Sequence, residues 1–76
     1  MNKIRRKNLQ AIIDRIEDIK SDLECLKEEE EDYRDNMPEN LQNSERYEQA
    51  DNAVYLLDEA LEGLDSALDN ISEVIV

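Results

Sequence analysis

The stretch Asn36-Met37-Pro38-Glu39-Asn40-Leu41-Gln42-Asn43-Ser44 divides the chain into two halves that obey one spacing rule. Before it, a seam runs through Leu9, Ile12, Ile16, Ile19, Leu23 and Leu26, then Glu30, Tyr33 and Met37. After it, the seam continues through Tyr47, Ala50, Val54, Leu57, Leu61, Leu64, Leu68, Ile71 and Ile75. Both runs alternate steps of three and four, the a/d pattern of a heptad coiled coil. Pro38 ends the first run, because its ring disfavours helical geometry in the preceding residue and supplies no N–H. The pattern predicts a helix over about 3–35, a loop over about 36–43 and a second helix over about 44–75. Within the loop, Pro38 suits the first position of a short turn. Leu41 is expected to lid the tip, and Asn43 or Ser44 to cap the second helix ahead of Glu45. A short connection between helices of equal length predicts an antiparallel hairpin occupying residues 1–76 as one all-α unit.

Composition agrees with that reading. The 76 residues contain no Phe, Trp or His, one Gly and one Pro, and 39% are charged. The apolar residues are too regular for a disordered acidic tail, yet a chain of this size builds only a small core alone. No apolar run is long enough to span a bilayer. The basic start Met1-Asn2-Lys3-Ile4-Arg5-Arg6-Lys7-Asn8 is not followed by the apolar stretch of a signal peptide. A lone Cys25 has no intrachain disulfide partner and fits a reducing compartment, so the expected location is cytoplasmic. Net charge is −12, and all 21 acidic residues lie after residue 7. Such a body repels nucleic acid and anionic membranes. A second copy of the chain, or a basic protein, is the partner it suits.

The heptad pattern also predicts a register. An a residue faces a d residue in an antiparallel pair, which sets Tyr33 against Tyr47, Leu26 against Val54, Leu23 against Leu57 and Ile19 against Leu61. Ile16 then meets Leu64, Ile12 meets Leu68, Leu9 meets Ile71, and Glu30 faces Ala50. The flanking e positions carry Lys20 and Lys27 on the first helix and Asp51, Asp58 and Asp65 on the second. In this register Lys20 lies near Asp58, and Lys27 near Asp51.

The second helix carries an additional apolar stripe. Ala53, Ala60, Ala67 and Val74 fall at g, with Leu56 and Gly63 at c, whereas the first helix offers Asn8, Arg15, Asp22 and Glu29 on its corresponding flank. Gly63 costs about 1 kcal/mol in a helix interior relative to Ala, which suggests a close crossing. Either alanine serves here simply as a good helix former, or Ala53, Leu56, Ala60, Gly63, Ala67 and Val74 form a docking face. The expected occupant is a second copy, making a homodimeric four-helix bundle with its two-fold axis near Gly63.

Candidate chemistry is sparse. Glu30 interrupts the seam, but without His or a matched carboxylate cluster a di-metal bundle site is not expected. It is read instead as reaching solvent or Arg46. Cys25 has acidic neighbours, Asp22 and Glu29, which raise a thiol pKa and blunt its reactivity. Tyr33 and Tyr47 read as packing at the tip, and Tyr55 as an outer residue. No phosphate loop, zinc spacing or nucleophile–base–acid set occurs; no catalytic residue, metal or cofactor is expected. The basic start is either a solvated end or, through Lys3, Arg5, Arg6 and Lys7, an anion contact.

The segment Tyr33-Arg34-Asp35-Asn36-Met37-Pro38-Glu39-Asn40-Leu41-Gln42-Asn43-Ser44-Glu45-Arg46-Tyr47-Glu48 resembles the tip of small acidic helical-hairpin proteins of Gram-positive bacteria and their phages. That family has no known activity, so the resemblance implies a phage or mobile-element origin and carries over no residue roles. The leading expectation is a non-enzymatic, self-associating hairpin that acts by protein–protein contact. Two other readings stand beside it: an acidic DNA mimic that inhibits a host nucleic-acid-binding or defence protein, and a small-nucleotide sponge using the basic ends.

Overall fold

A computed structural model describes residues 1–75. Two long helices, α1 (Lys3–Asp35) and α2 (Glu45–Ile75), fold back on one another as an all-α hairpin. The molecule is a rod with extents of 60 × 15 × 13 Å. Asn2 caps α1, its side-chain oxygen accepting from the Arg5 N–H at 2.7 Å. The helix ends where the Asn36 N–H still reaches the Asp32 carbonyl at 3.0 Å and Met37 turns back to Arg34. Pro38 then leads into a single 3-10 turn, Glu39–Leu41, closed by the Leu41 N–H on the Pro38 carbonyl at 2.8 Å.

Of the two candidate caps for α2, Ser44 holds the position. Its hydroxyl accepts from the Tyr47 N–H at 3.3 Å and donates to the Leu41 carbonyl, tying the cap to the preceding turn. Glu45 and Glu48 occupy the first turn, where carboxylates favour the helix dipole. No described residue adopts positive φ, so the tip turns without needing glycine.

α2 packs as its heptad pattern predicts. Ala50, Val54 and Leu61 are buried, and Tyr47, Leu57, Leu64, Leu68, Ile71 and Ile75 are half-buried along the same stripe. α1 does not. Leu9, Ile16, Leu23, Glu30 and Met37 stay on its inner side, but the alternate positions have changed. Ile13 is only 7% exposed, whereas Ile12, Ile19, Leu26 and Tyr33 are 39%, 51%, 54% and 48% exposed. Lys20, Lys27 and Arg34 take the half-buried places expected of Ile19, Leu26 and Tyr33. α1 is therefore rotated by one position of the seven-residue wheel, about 50°, from the expected seam.

The ion pairs supply the physical reason. Lys20 Nζ lies 2.6 Å from Asp65, Lys27 Nζ 2.8 Å from Asp58, and Arg34 2.8 Å from Asp51. Each acidic partner of the two lysines is one heptad further along α2 than the expected register allows. Long basic side chains lay their methylene stems over apolar surface while the charged heads stay wet. Turning α1 toward its basic stripe covers the α2 leucines with those stems and pairs three cations with three aspartates. The cost is an apolar stripe left in water.

Candidate interaction face

The hairpin has two unlike sides, set by which stripe each helix turns outward. One side carries the cross-helix ion pairs. Lys20 and Lys27 are each shared with a second acid on their own helix, Glu24 at 3.9 Å and Glu31 at 3.5 Å. Arg34 likewise bonds Asp35 at 2.9 Å. The hydrogen bond it donates to Asp65 holds the Lys20 ammonium above its ordinary 10.5, and the one donated to Asp58 does the same for Lys27. Asp35, then Asp51, raises the Arg34 guanidinium. A raised cation pKa gives a contribution fully present below the unfolded value and lost as pH climbs through the folded one. The row is therefore intact at neutral pH. It borders a groove of about 360 Å³ in which Glu24, Glu28, Glu31 and Glu62 add further negative charge.

The opposite side carries an apolar stripe on each helix, flanked on α1 by Asn8, Arg15, Asp22 and Glu29. On α1, the stripe of Ile12, Ile19, Leu26 and Tyr33 lies across the seam from the basic stripe. On α2, Ala53, Ala60, Ala67 and Val74 lie across the seam from Asp51, Asp58 and Asp65. The two apolar stripes thus share one face of the rod. Ala53 and Ala67 are half-buried beside the seam, while Leu56, Ala60, Gly63 and Val74 are exposed. This corrects the expectation that α1 offers only Asn8, Arg15, Asp22 and Glu29 on that flank. The rotation of α1 brings large apolar side chains there beside those polar residues, and they are the part of the face that heptad counting missed. The signal was present in Ile12-Ile13, which allows the apolar pattern to be read in either of two phases.

A Cβ built on Gly63 meets nothing within 4 Å, so packing inside the hairpin does not call for glycine. The total accessible surface is 5908 Å². A compact monomer of this mass exposes roughly 4,800 Å², so the rod carries an excess of about 1,100 Å². That excess resembles the roughly 800 Å² each partner buries in a standard interface.

The other candidate residues are dispersed. Glu30 is half-buried and Cys25 exposed. No group of three or more His, Cys, Asp or Glu side chains suited to a metal ion occurs among the described residues. Tyr55 is exposed, on the ion-pair side of α2. Lys3, Arg5, Arg6 and Lys7 are exposed at the open end of the hairpin. Tyr33, Met37, Pro38 and Leu41 line a cavity of about 440 Å³ at the tip, together with Asn36, the acids Glu29 and Asp32, and Arg46. No helix among the described residues is long and apolar enough to cross a membrane. No family model, curated protein or solved structure matches the chain.

Proposed function

We propose that this chain is a non-enzymatic, self-associating helical hairpin that works by protein–protein contact, with two copies forming a four-helix bundle. The observation that carries the reading is the apolar face shared by α1 and α2. Contiguous exposed apolar surface on this scale is characteristic of interaction sites. A rod one helix pair thick also leaves no side chain fully buried among the described residues, and a second layer would supply the core it lacks. The likeness of the tip to proteins of Gram-positive bacteria and their phages supports an accessory role in a phage or mobile element.

Light scattering tests the reading. The native chain is expected at about twice its 8.9 kDa mass. Gly63→Leu has room within the hairpin itself, so it is expected to retain helicity by circular dichroism while shifting the mass toward a single chain. A native monomer across the micromolar range would sink the proposal.

A second reading rests on the ion-pair side, where six carboxylates surround two lysines in the long groove. A surface of that sign suits a basic nucleic-acid site on another protein. Binding to a purified basic nuclease, lost at moderate salt, is its expected signature; no binding at low salt would count against it.

A further inference from the structure

Building on the self-association reading, we infer that two hairpins dock head to tail, the basic start of each copy meeting the acidic tip of the other. The rod is electrically polar along its length. Lys3, Arg5, Arg6 and Lys7 sit at one end, beyond Asp69 and Glu73 of the last turns of α2. Between Glu28 and Glu48, at the other, there are nine acidic side chains and two arginines. With 60 Å of length and a screening length of about 8 Å at physiological salt, the ends behave as separate poles. Docking tip to tip stacks two acidic poles; docking head to tail sets each against its opposite.

The apolar stripes locate the axis. On α1 the stripe from Ile12 to Tyr33 is centred near Asp22, and on α2 the stripe from Ala53 to Val74 is centred near Gly63. The Lys20–Asp65 and Lys27–Asp58 pairs set Gly63 level with Asp22, so both stripes share one midpoint. A two-fold axis through that level, perpendicular to the rod, lays each face on its copy. The exposed portions of Ile12, Ile19, Leu26, Tyr33, Leu56 and Val74 together offer on the order of 600 Å² per copy, close to what a standard interface needs.

The same axis matches the ends. Ile4 on α1 and Glu45 on α2 each lie eighteen helical residues, or ~27 Å, from the shared level of Asp22 and Gly63, and Asn40 sits in the turn at that end. Ile4 of one copy is thereby carried to the tip of the other. Ile4 is 74% exposed, although apolar, and the tip holds the cavity walled by Tyr33, Met37, Pro38 and Leu41. Lys7 of one copy then comes level with Met37 on the cavity wall, and Arg15 level with Glu29. Charge, stripe midpoint and end-to-end fit all select one arrangement.

Spin labels measure it. In a Cys25→Ser background, a label at Asn40→Cys on both copies is expected to report a distance of about 55 Å, with light scattering and circular dichroism matching the native protein. A mixture of chains labelled at Lys3→Cys with chains labelled at Asn40→Cys is expected to add a short distance of about 10–25 Å. Short tip-to-tip distances with no short mixed one would overturn the head-to-tail arrangement and leave self-association standing. No dipolar coupling, together with a monomeric mass, would remove both.

Discussion

Ile13→Asp is expected to abolish the hairpin, whereas Ile12→Asp, one residue away, is expected to leave it folded. Ile13 is 7% exposed and faces α2; Ile12 is 39% exposed and faces away from the seam. Replacing Ile13 removes a buried aliphatic side chain, which typically costs 2–5 kcal/mol when truncated to Ala. It also places an unpaired carboxylate against the α2 stripe, which adds a desolvation cost. The whole stability of a chain this small is on the order of 5 kcal/mol, so the cooperative melt should vanish. Ile12→Asp loses only partly exposed area and is expected to shift the melting temperature of the hairpin by a few degrees. Thermal melts followed at 222 nm, at concentrations low enough to keep both variants monomeric, separate the two cases. The heptad seam predicts the reverse ranking. A folded Ile13→Asp beside an unfolded Ile12→Asp would therefore restore the simple a/d register and remove the apolar stripe from α1.

That pair of residues also marks how far the fold was legible in the sequence. The helix boundaries, the turn after Pro38, the Ser44 cap and the seam of α2 follow from local chemistry: a proline, a hydroxyl and a three–four repeat. Each has few competing solutions. The phase of α1 is different, because its wheel carries two adjacent stripes able to face α2. One is apolar, with Ile12, Ile19, Leu26 and Tyr33; the other is Ile13 followed by Lys20, Lys27 and Arg34. Apolar periodicity alone favours the first. What tips the balance is a contact between elements far apart in the chain, the reach of long basic side chains to Asp51, Asp58 and Asp65. Heptad counting treats those pairs as trim on a fixed seam, whereas here they accompany a rotation of the whole helix. The small-residue stripe of α2 was legible, but the α1 half of the candidate face depends on that rotation and was not.

The double substitution Ile19→Glu with Leu26→Glu is expected to convert the proposed dimer to a monomer while the hairpin survives. Both side chains are about half exposed and lie near the middle of the apolar stripe, close to the proposed two-fold axis. A residue near such an axis is counted twice, so two substitutions place four carboxylates in one interface. Charges buried there without partners cost several kcal/mol in total, and each 1.4 kcal/mol weakens association tenfold. A loss of at least a thousandfold is therefore expected, read as a fall in mass from about twice 8.9 kDa to a single chain. Within the hairpin the same glutamates remain solvated, and Glu is a good helix former, so helix content should persist at low temperature. The paired control is Glu17→Gln with Glu24→Gln, outside the apolar stripe, which should leave the mass unchanged. If the Ile19/Leu26 variant loses its helices outright at every concentration, these residues belong to the hairpin core. If it stays dimeric and helical, copies meet through another face. Only separation of mass from helicity fits an α1 stripe reserved for a second chain.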